Sequence, residues 1–206
     1  MPKSKPLVYV VDDDEAVRDS LSLLFESEAL EAEAFASARA FLDKLDRTRP
    51  GCIVADVRMP GMSGVELLEK LQAEQAAIPI ILITGHGDVP MAVAALKAGA
   101  ADFFEKPFDD ALLVASVRAA LDATDEQRRR AVEDSELRAR AATLTTRERE
   151  VMDLVVAGHS NKVVAARLAI SPRTVEVYRA RVMEKMQARS LADIVRMAIR
   201  LEKAAT

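Results

Sequence analysis

The sequence predicts an α/β domain built on a doubly wound, five-stranded parallel sheet, followed by a helical linker and an all-α helix-turn-helix domain. Three observations predict it. Short, continuous apolar runs alternate with helix-period stretches up to residue 121, and no strand signal follows. The net charge of −4 over 206 residues divides by position. Residues 1–124 carry 12 Lys+Arg against 21 Asp+Glu, residues 125–142 balance, and residues 143–206 carry 12 basic against 7 acidic residues. An acidic part and a basic part imply two domains with different partners.

The elements follow in order. LVYVV (7–11), CIVADV (52–57) and IPIILIT (78–84) are unbroken apolar runs of the kind buried on both faces of a parallel sheet. EAEAF (31–35) and ADFF (101–104) are weaker and complete a set of five strands. Val17, Leu21, Leu24 and Phe25 recur at helical spacing, as do Val65, Leu68 and Leu71 after a Ser63/Glu66 capping box. Asp88 suits the cap of a helix with Pro90 in its first turn and Gly99 at its stop. Residues 122–142 hold no Gly or Pro and read as a helical linker. Four helices fill the remainder. Thr145/Glu148 and Ser190/Asp193 are capping boxes, Gly158 stops the first helix, Ser160 caps a second over 161–168, and Ser171-Pro172 opens a third.

Composition narrows the class. Half the residues are apolar and 30% are charged, which excludes disordered and collagen-like chains. No apolar run approaches the ~18 residues of a membrane span, and the apolar run after the basic N-terminus is too short for a signal-peptide core. One cysteine and two histidines favour neither a disulfide framework nor a zinc site. A cytoplasmic protein with no membrane contact is expected. Cys52 is most simply a core residue, His86 an exposed loop residue and His159 a capping or surface residue.

In open parallel sheets, chemistry gathers at the carboxyl ends of the strands. The first strand ends in Asp12-Asp13-Asp14, the third in Asp56 and the fourth in Thr84, and the fifth is followed by Lys106-Pro107. Taken singly, each has a bland reading: a cap, a turn, a strand residue. Together they bring carboxylates, a hydroxyl and an ammonium to one crevice. Clustered carboxylates need a cation, and hard oxygen donors favour Mg²⁺. Such a carboxylate is suited to attack a phosphoryl group, with Lys106 and Thr84 donating to its oxygens.

VVDDDEAVR, IVADVRMPGMSGVELL and ILITGHGDVPMAVAALKAGAADFFEKPF resemble the receiver domain of two-component response regulators, and of the FixJ type in particular. The resemblance implies a CheY-like, flavodoxin-like sheet in the order 2-1-3-4-5 over residues 7–121. It implies that a sensor histidine kinase passes a phosphoryl group to Asp56. It further implies that Asp12, Asp13, Asp56 and the Arg58 backbone carbonyl hold Mg²⁺, and that Thr84 and Lys106 contact the phosphoryl group. Phe103 matches an aromatic that turns inward as Thr84 moves, although core packing also explains it. Lys106-Pro107 matches a peptide bond that is often cis in this fold.

In SNKVVAARLAISPRTVEVYRARVMEKM (160–186), two apolar-faced helices flank a short turn, and the second helix is rich in Arg. Basic side chains there would contact DNA phosphates, with a few reaching base edges. Residues 143–199 resemble a LuxR/NarL-type domain, with the helix-turn-helix at 163–182. The DNA-facing residues are expected to be Lys162, Arg173, Thr174, Glu176, Val177, Tyr178, Arg179, Arg181 and Lys185. The last helix (190–200) matches one used for dimerisation.

The expected function is a phosphorylation-controlled transcription regulator. It is not an enzyme, although it accepts and slowly loses its own phosphoryl group. Its expected partners are a sensor histidine kinase, promoter DNA, a second copy on phosphorylation, and RNA polymerase. Two other readings stand beside it. An Mg²⁺-dependent phosphohydrolase would need a substrate pocket that the short loops leave little room for. A phosphoryl sink without DNA binding would leave the basic domain unexplained.

Overall fold

The computed structural model describes residues 5–85 and 89–203. The expected Asp88 cap and His86 lie outside them. The chain forms two compact units, Met1–Gln127 and Arg128–Thr206.

The first unit alternates strand and helix: β1 (Leu7–Val11), α1 (Glu15–Ser27), β2 (Glu31–Phe35), α2 (Ala38–Lys44), β3 (Gly51–Asp56), α3 (Gly64–Ala73), β4 (Ile80–Thr84), α4 (Val89–Lys97), β5 (Asp102–Glu105) and α5 (Asp110–Ala142). The sheet is parallel in the order β2-β1-β3-β4-β5. Side-chain alternation divides each central strand between two cores. Leu7, Tyr9, Val11, Ile53, Ala55, Ile80 and Leu82 face one layer with Phe41 of α2, Leu67 and Leu71 of α3 and Ala95 of α4. Val8, Val10, Cys52, Val54, Ile81 and Ile83 face the other, with Leu21 and Phe25 of α1 and Leu113, Val117 and Leu121 of α5. A side chain such as Phe25 or Leu67, with no exposed surface, contributes ~1.5–3 kcal/mol by leaving water. Two-sided burial is why β1, β3 and β4 carry no polar alternation. Cys52 lies inside the second core, where burial pushes its thiol up to about 12.

Local signals act as expected at most ends. Ser63 and Glu66 form a reciprocal box on α3, and Asp14 caps α1 by accepting the Ala16 N–H. β4 starts at Ile80 rather than residue 78, since Pro79 has no N–H to add to the ladder.

The expected helical linker, 122–142, lies within a longer helix. α5 runs without a break over 33 residues, because nothing between Asp110 and Ala142 can stop a helix. Its last turns belong to the second unit, where Leu137 and Ala141 pack with Met152, Val182, Met186 and Ile194. The rest of that unit is α6 (Thr146–Val156), α7 (Asn161–Leu168), α8 (Pro172–Met186) and α9 (Leu191–Lys203). Thr145 and Glu148 form the expected box on α6. Ser160 sits at the N-cap of α7 but makes no side-chain bond there. At α9, Ser190 accepts the Asp193 N–H, while the Asp193 carboxylate takes the N–H of Arg189 instead of Ser190. A second small core joins Val151 and Val155 of α6, Val164 of α7 and Val175 of α8.

Candidate functional site

Parallel pairing of β1 with β3, β3 with β4, and β4 with β5 brings four strand ends to one edge of the sheet. Asp12 follows β1, Asp56 ends β3, Thr84 ends β4, and Lys106 follows β5. All but Lys106 are almost fully buried: Asp12 is 1% exposed, Asp56 7% and Thr84 1%. The Lys106 ammonium bridges the two acids, donating to Asp12 Oδ2 at 2.9 Å and Asp56 Oδ1 at 2.8 Å. The remaining oxygens take backbone donors, Asp12 Oδ1 from Asp14 at 2.9 Å and Asp56 Oδ2 from Arg58 at 2.6 Å. The Lys106 N–H donates to the Thr84 carbonyl, and the Lys106-Pro107 peptide is cis.

The electrostatics follow from this geometry. Burial raises the Asp12 carboxyl above its ordinary value, against the lowering effect of Lys106 and the Asp14 N–H. Burial also pulls the Lys106 ammonium down. Its hydrogen bonds to Asp56 and then Asp12 outweigh that and leave it raised. One ammonium against two buried carboxylates leaves a negative charge uncompensated, with the Asp13 side chain exposed beside it. No group of three or more His, Cys, Asp or Glu is gathered as a metal cage among the described residues. Mg²⁺ does not require one, since it keeps most of its waters and takes one or two carboxylates. The oxygen donors and the unbalanced charge therefore fit a divalent cation. Beside Lys106 a groove runs along α1, lined by Val17, Ser20, Leu24, Pro107 and Phe108.

The second unit presents a short-turned helix pair. α7 is capped by Ala169 in the left-handed region, and α8 begins with Pro172 behind the Ser171 cap. Lys162, Arg173, Glu176, Val177 and Arg181 are exposed. Thr174 is half-buried, with its hydroxyl 2.8 Å from Ser171 Oγ. Tyr178 packs against the second small core.

A receiver-domain model, "Response regulator receiver domain", matches residues 8–118, and one described as "Bacterial regulatory proteins, luxR family" matches 142–198. This chain belongs to the response regulators, with a LuxR-type DNA-binding domain. It is 56% identical to a transcriptional regulatory protein FixJ of Azorhizobium caulinodans, over 97% of this chain and 94% of that one. It is 45% identical to the response regulator TodT of Pseudomonas putida, over 95% and 86%. Its fold matches that of the response regulator StyR at a TM-score of 0.85 and 42% identity, over 96% of this chain and all of that one. Such a protein is a transcriptional regulator rather than a classical enzyme. Its receiver implies a histidine kinase as partner, and its LuxR-type domain implies DNA. Receivers generally use Mg²⁺. Among the described residues no helix is long and apolar enough to cross a membrane.

In this response regulator the tertiary structure brings Asp12, Asp56, Thr84 and Lys106 together. Asp13 and Arg58 flank them, with Arg58 joined through its backbone N–H. Phe103 is half-buried on the face of the sheet that carries α2, α3 and α4, opposite Leu82 in the ladder. Two residues expected on the DNA face have internal partners. Lys185 donates to Glu148 Oε2 at 2.6 Å and to the Thr143 carbonyl at 3.1 Å. Arg179 donates to Asn161 Oδ1 at 2.5 Å, tying α8 to the start of α7. Neither a charge count along a helix nor a resemblance shows such internal partners. Neither Glu148 nor Asn161 was expected as a partner. The Thr145/Glu148 box was a signal for the first, whereas the second had none.

Proposed function

We propose that Asp56 accepts a phosphoryl group from the phosphohistidine of a sensor kinase, and that this switches DNA binding by the LuxR-type domain. The observation that carries the proposal is the Lys106 bridge between Asp12 and Asp56 at the carboxyl end of the sheet. A carboxylate oxygen of Asp56 attacks phosphorus, the P–N bond to imidazole breaks, and an acyl phosphate forms. Lys106 then faces the new phosphoryl oxygens, and Thr84 stands at the neighbouring strand end to donate its hydroxyl. Asp12, Asp13, Asp56 and the Arg58 carbonyl would hold Mg²⁺, which when bound would neutralise further charge on those oxygens. Water later hydrolyses the acyl phosphate, so the chain slowly loses its own phosphoryl group.

Movement of Thr84 toward the phosphoryl group makes room for Phe103 to turn inward, and the two form a two-state switch. The receiver is assigned to residues 7–121, the linker to 122–142 and the DNA-binding domain to 143–206. Lys162, Arg173 and Arg181 contact phosphates. Thr174, Glu176, Val177 and Tyr178 lie where α8 meets the groove. Phosphorylation promotes pairing of two copies on two promoter half-sites. Pairing is needed because one small domain neutralises too few phosphates to bind tightly at physiological salt. RNA polymerase is the downstream partner, and the protein acts in the cytoplasm.

The test uses the full-length protein with acetyl phosphate and Mg²⁺, read by intact mass and by promoter-fragment mobility shift. The expected result is one added phosphoryl group on the parent and none on Asp56→Asn, with tighter DNA binding only for the parent. Stable labelling of Asp56→Asn overturns the assignment.

A further inference from the structure

Arg18 belongs to the VVDDDEAVR segment, yet the chemistry above gives it no part. It stands half-buried near the start of α1. Its Nη1 donates to the main-chain carbonyls of both Asp12, at 2.8 Å, and Asp13, at 3.0 Å. The same stretch is held from two other sides. The Asp12 N–H donates to the Phe35 carbonyl at 3.1 Å, and Asp12 Oδ1 accepts the Asp14 N–H at 2.9 Å.

We propose that Arg18 is a positioning residue for the acidic crevice: by gripping two consecutive carbonyls it sets the main chain from which the Asp12 and Asp13 carboxylates extend toward Mg²⁺. The inference rests on the reading of that crevice as a cation site. Three consecutive aspartates repel one another, and a strand end relieves such repulsion by splaying. The guanidinium opposes splaying in two ways. It cross-links the turn to the helix that follows, and it places positive charge against two carbonyl dipoles. Two effects of Arg18 on a bound cation therefore oppose each other. Its charge repels the cation, while the order it imposes saves the cost of gathering the ligands. The charge is already engaged by two carbonyls and partly open to water, so ordering prevails. Groups that orient metal ligands from behind typically change affinity ~10–100-fold when removed.

The test titrates Mg²⁺ alone into full-length protein by calorimetry, with thermal unfolding followed alongside. Arg18→Ala is expected to weaken Mg²⁺ binding about ten-fold at temperatures well below its unfolding midpoint. Arg18→Lys keeps the charge and one flexible donor, so it restores part of the affinity. Arg39→Ala removes the same charge from an exposed position on α2 and leaves the affinity unchanged. Affinity of Arg18→Ala within two-fold of the parent overturns the inference. So does tighter binding, which would show that charge outweighs ordering. If Arg18→Ala does not fold, Arg18→Met, which keeps the aliphatic stem but no donor and no charge, decides by the same two-fold criterion. A parent that binds no Mg²⁺ overturns the reading of the crevice and this inference together. A parent that binds while Arg18→Ala binds equally well overturns the inference alone.

Discussion

Replacing Lys185 by alanine separates a DNA contact from an internal support. Glu148, its partner, is 2% exposed, and the same carboxylate oxygen also accepts the Thr145 N–H at 2.8 Å. Removing the ammonium leaves a buried carboxylate held by Thr145 alone, through its N–H and its side chain. Breaking a fully buried pair from one side costs ~3–5 kcal/mol. Lys185 is one-third exposed and the Thr145 bond survives, so the expected loss is ~2–3 kcal/mol. For a unit of this size, that lowers the unfolding midpoint by roughly 8–24 °C. Differential scanning calorimetry of the full-length protein at pH 7 reads it as a shift in the transition of the second unit. The pH dependence adds a second signature. Lys185, and then the Thr145 N–H, hold the Glu148 carboxyl below its ordinary 4.5. The stabilisation is therefore present above that value and lost as pH falls through the lower folded-state value. In Lys185→Ala most of this acid-side loss is absent, since little stabilisation remains to lose. The reasoning is refuted if Lys185→Ala unfolds with the parent while its DNA binding loses about one unit of salt slope, the mark of a phosphate contact.

Other outcomes follow from the same geometry. Arg181→Ala weakens binding to all DNA sequences and reduces the salt slope by about one, read by mobility shift across salt concentrations. Arg179→Ala and Asn161→Ala each lower specific binding without changing that slope. Their double mutant loses less than the sum of the two, with a coupling of about 1 kcal/mol in a double-mutant cycle, because both remove one bond. A Cβ at Gly64 would lie 2.4 Å from the Asp56 carbonyl oxygen and 2.9 Å from Leu82 Cδ2. Gly64→Ala therefore displaces the main chain of Asp56. It is expected to lose ~1–3 kcal/mol in urea unfolding and to slow acetyl-phosphate labelling. Unchanged unfolding and labelling would show that α3 can shift at no cost.

The two-faced sheet was legible because burial on both sides leaves an unmistakable trace in composition. Val8, Val10, Ile81 and Ile83 serve one layer while Leu7, Tyr9, Ile80 and Leu82 serve the other, so no polar residue can interrupt the run. Caps were legible where a side chain and a backbone N–H lie three residues apart, as at Ser63 and Thr145. The strand-end acids and Lys106 were legible as a set because a parallel sheet collects its carboxyl ends on one edge. The partition of charge separated the acidic α/β part from the basic helical part.

Tertiary structure decided what depends on partners distant in the chain. Lys106 and Asp12 are 94 residues apart, and only the neighbouring of strands makes them a bonded pair. Lys185 and Glu148, 37 residues apart, meet because α6 and α8 pack in one core. Arg179 turns to Asn161 rather than outward for the same kind of reason. That one helix runs unbroken from Asp110 through the linker was also decided in three dimensions. The sequence from Asp110 to Ala142 has no stop, and Leu137 and Ala141 join the core shared by α6, α8 and α9. Periodicity and capping are local and can be read along the chain. The direction of a charged side chain depends on what the fold places within its reach, and that is a property of three dimensions.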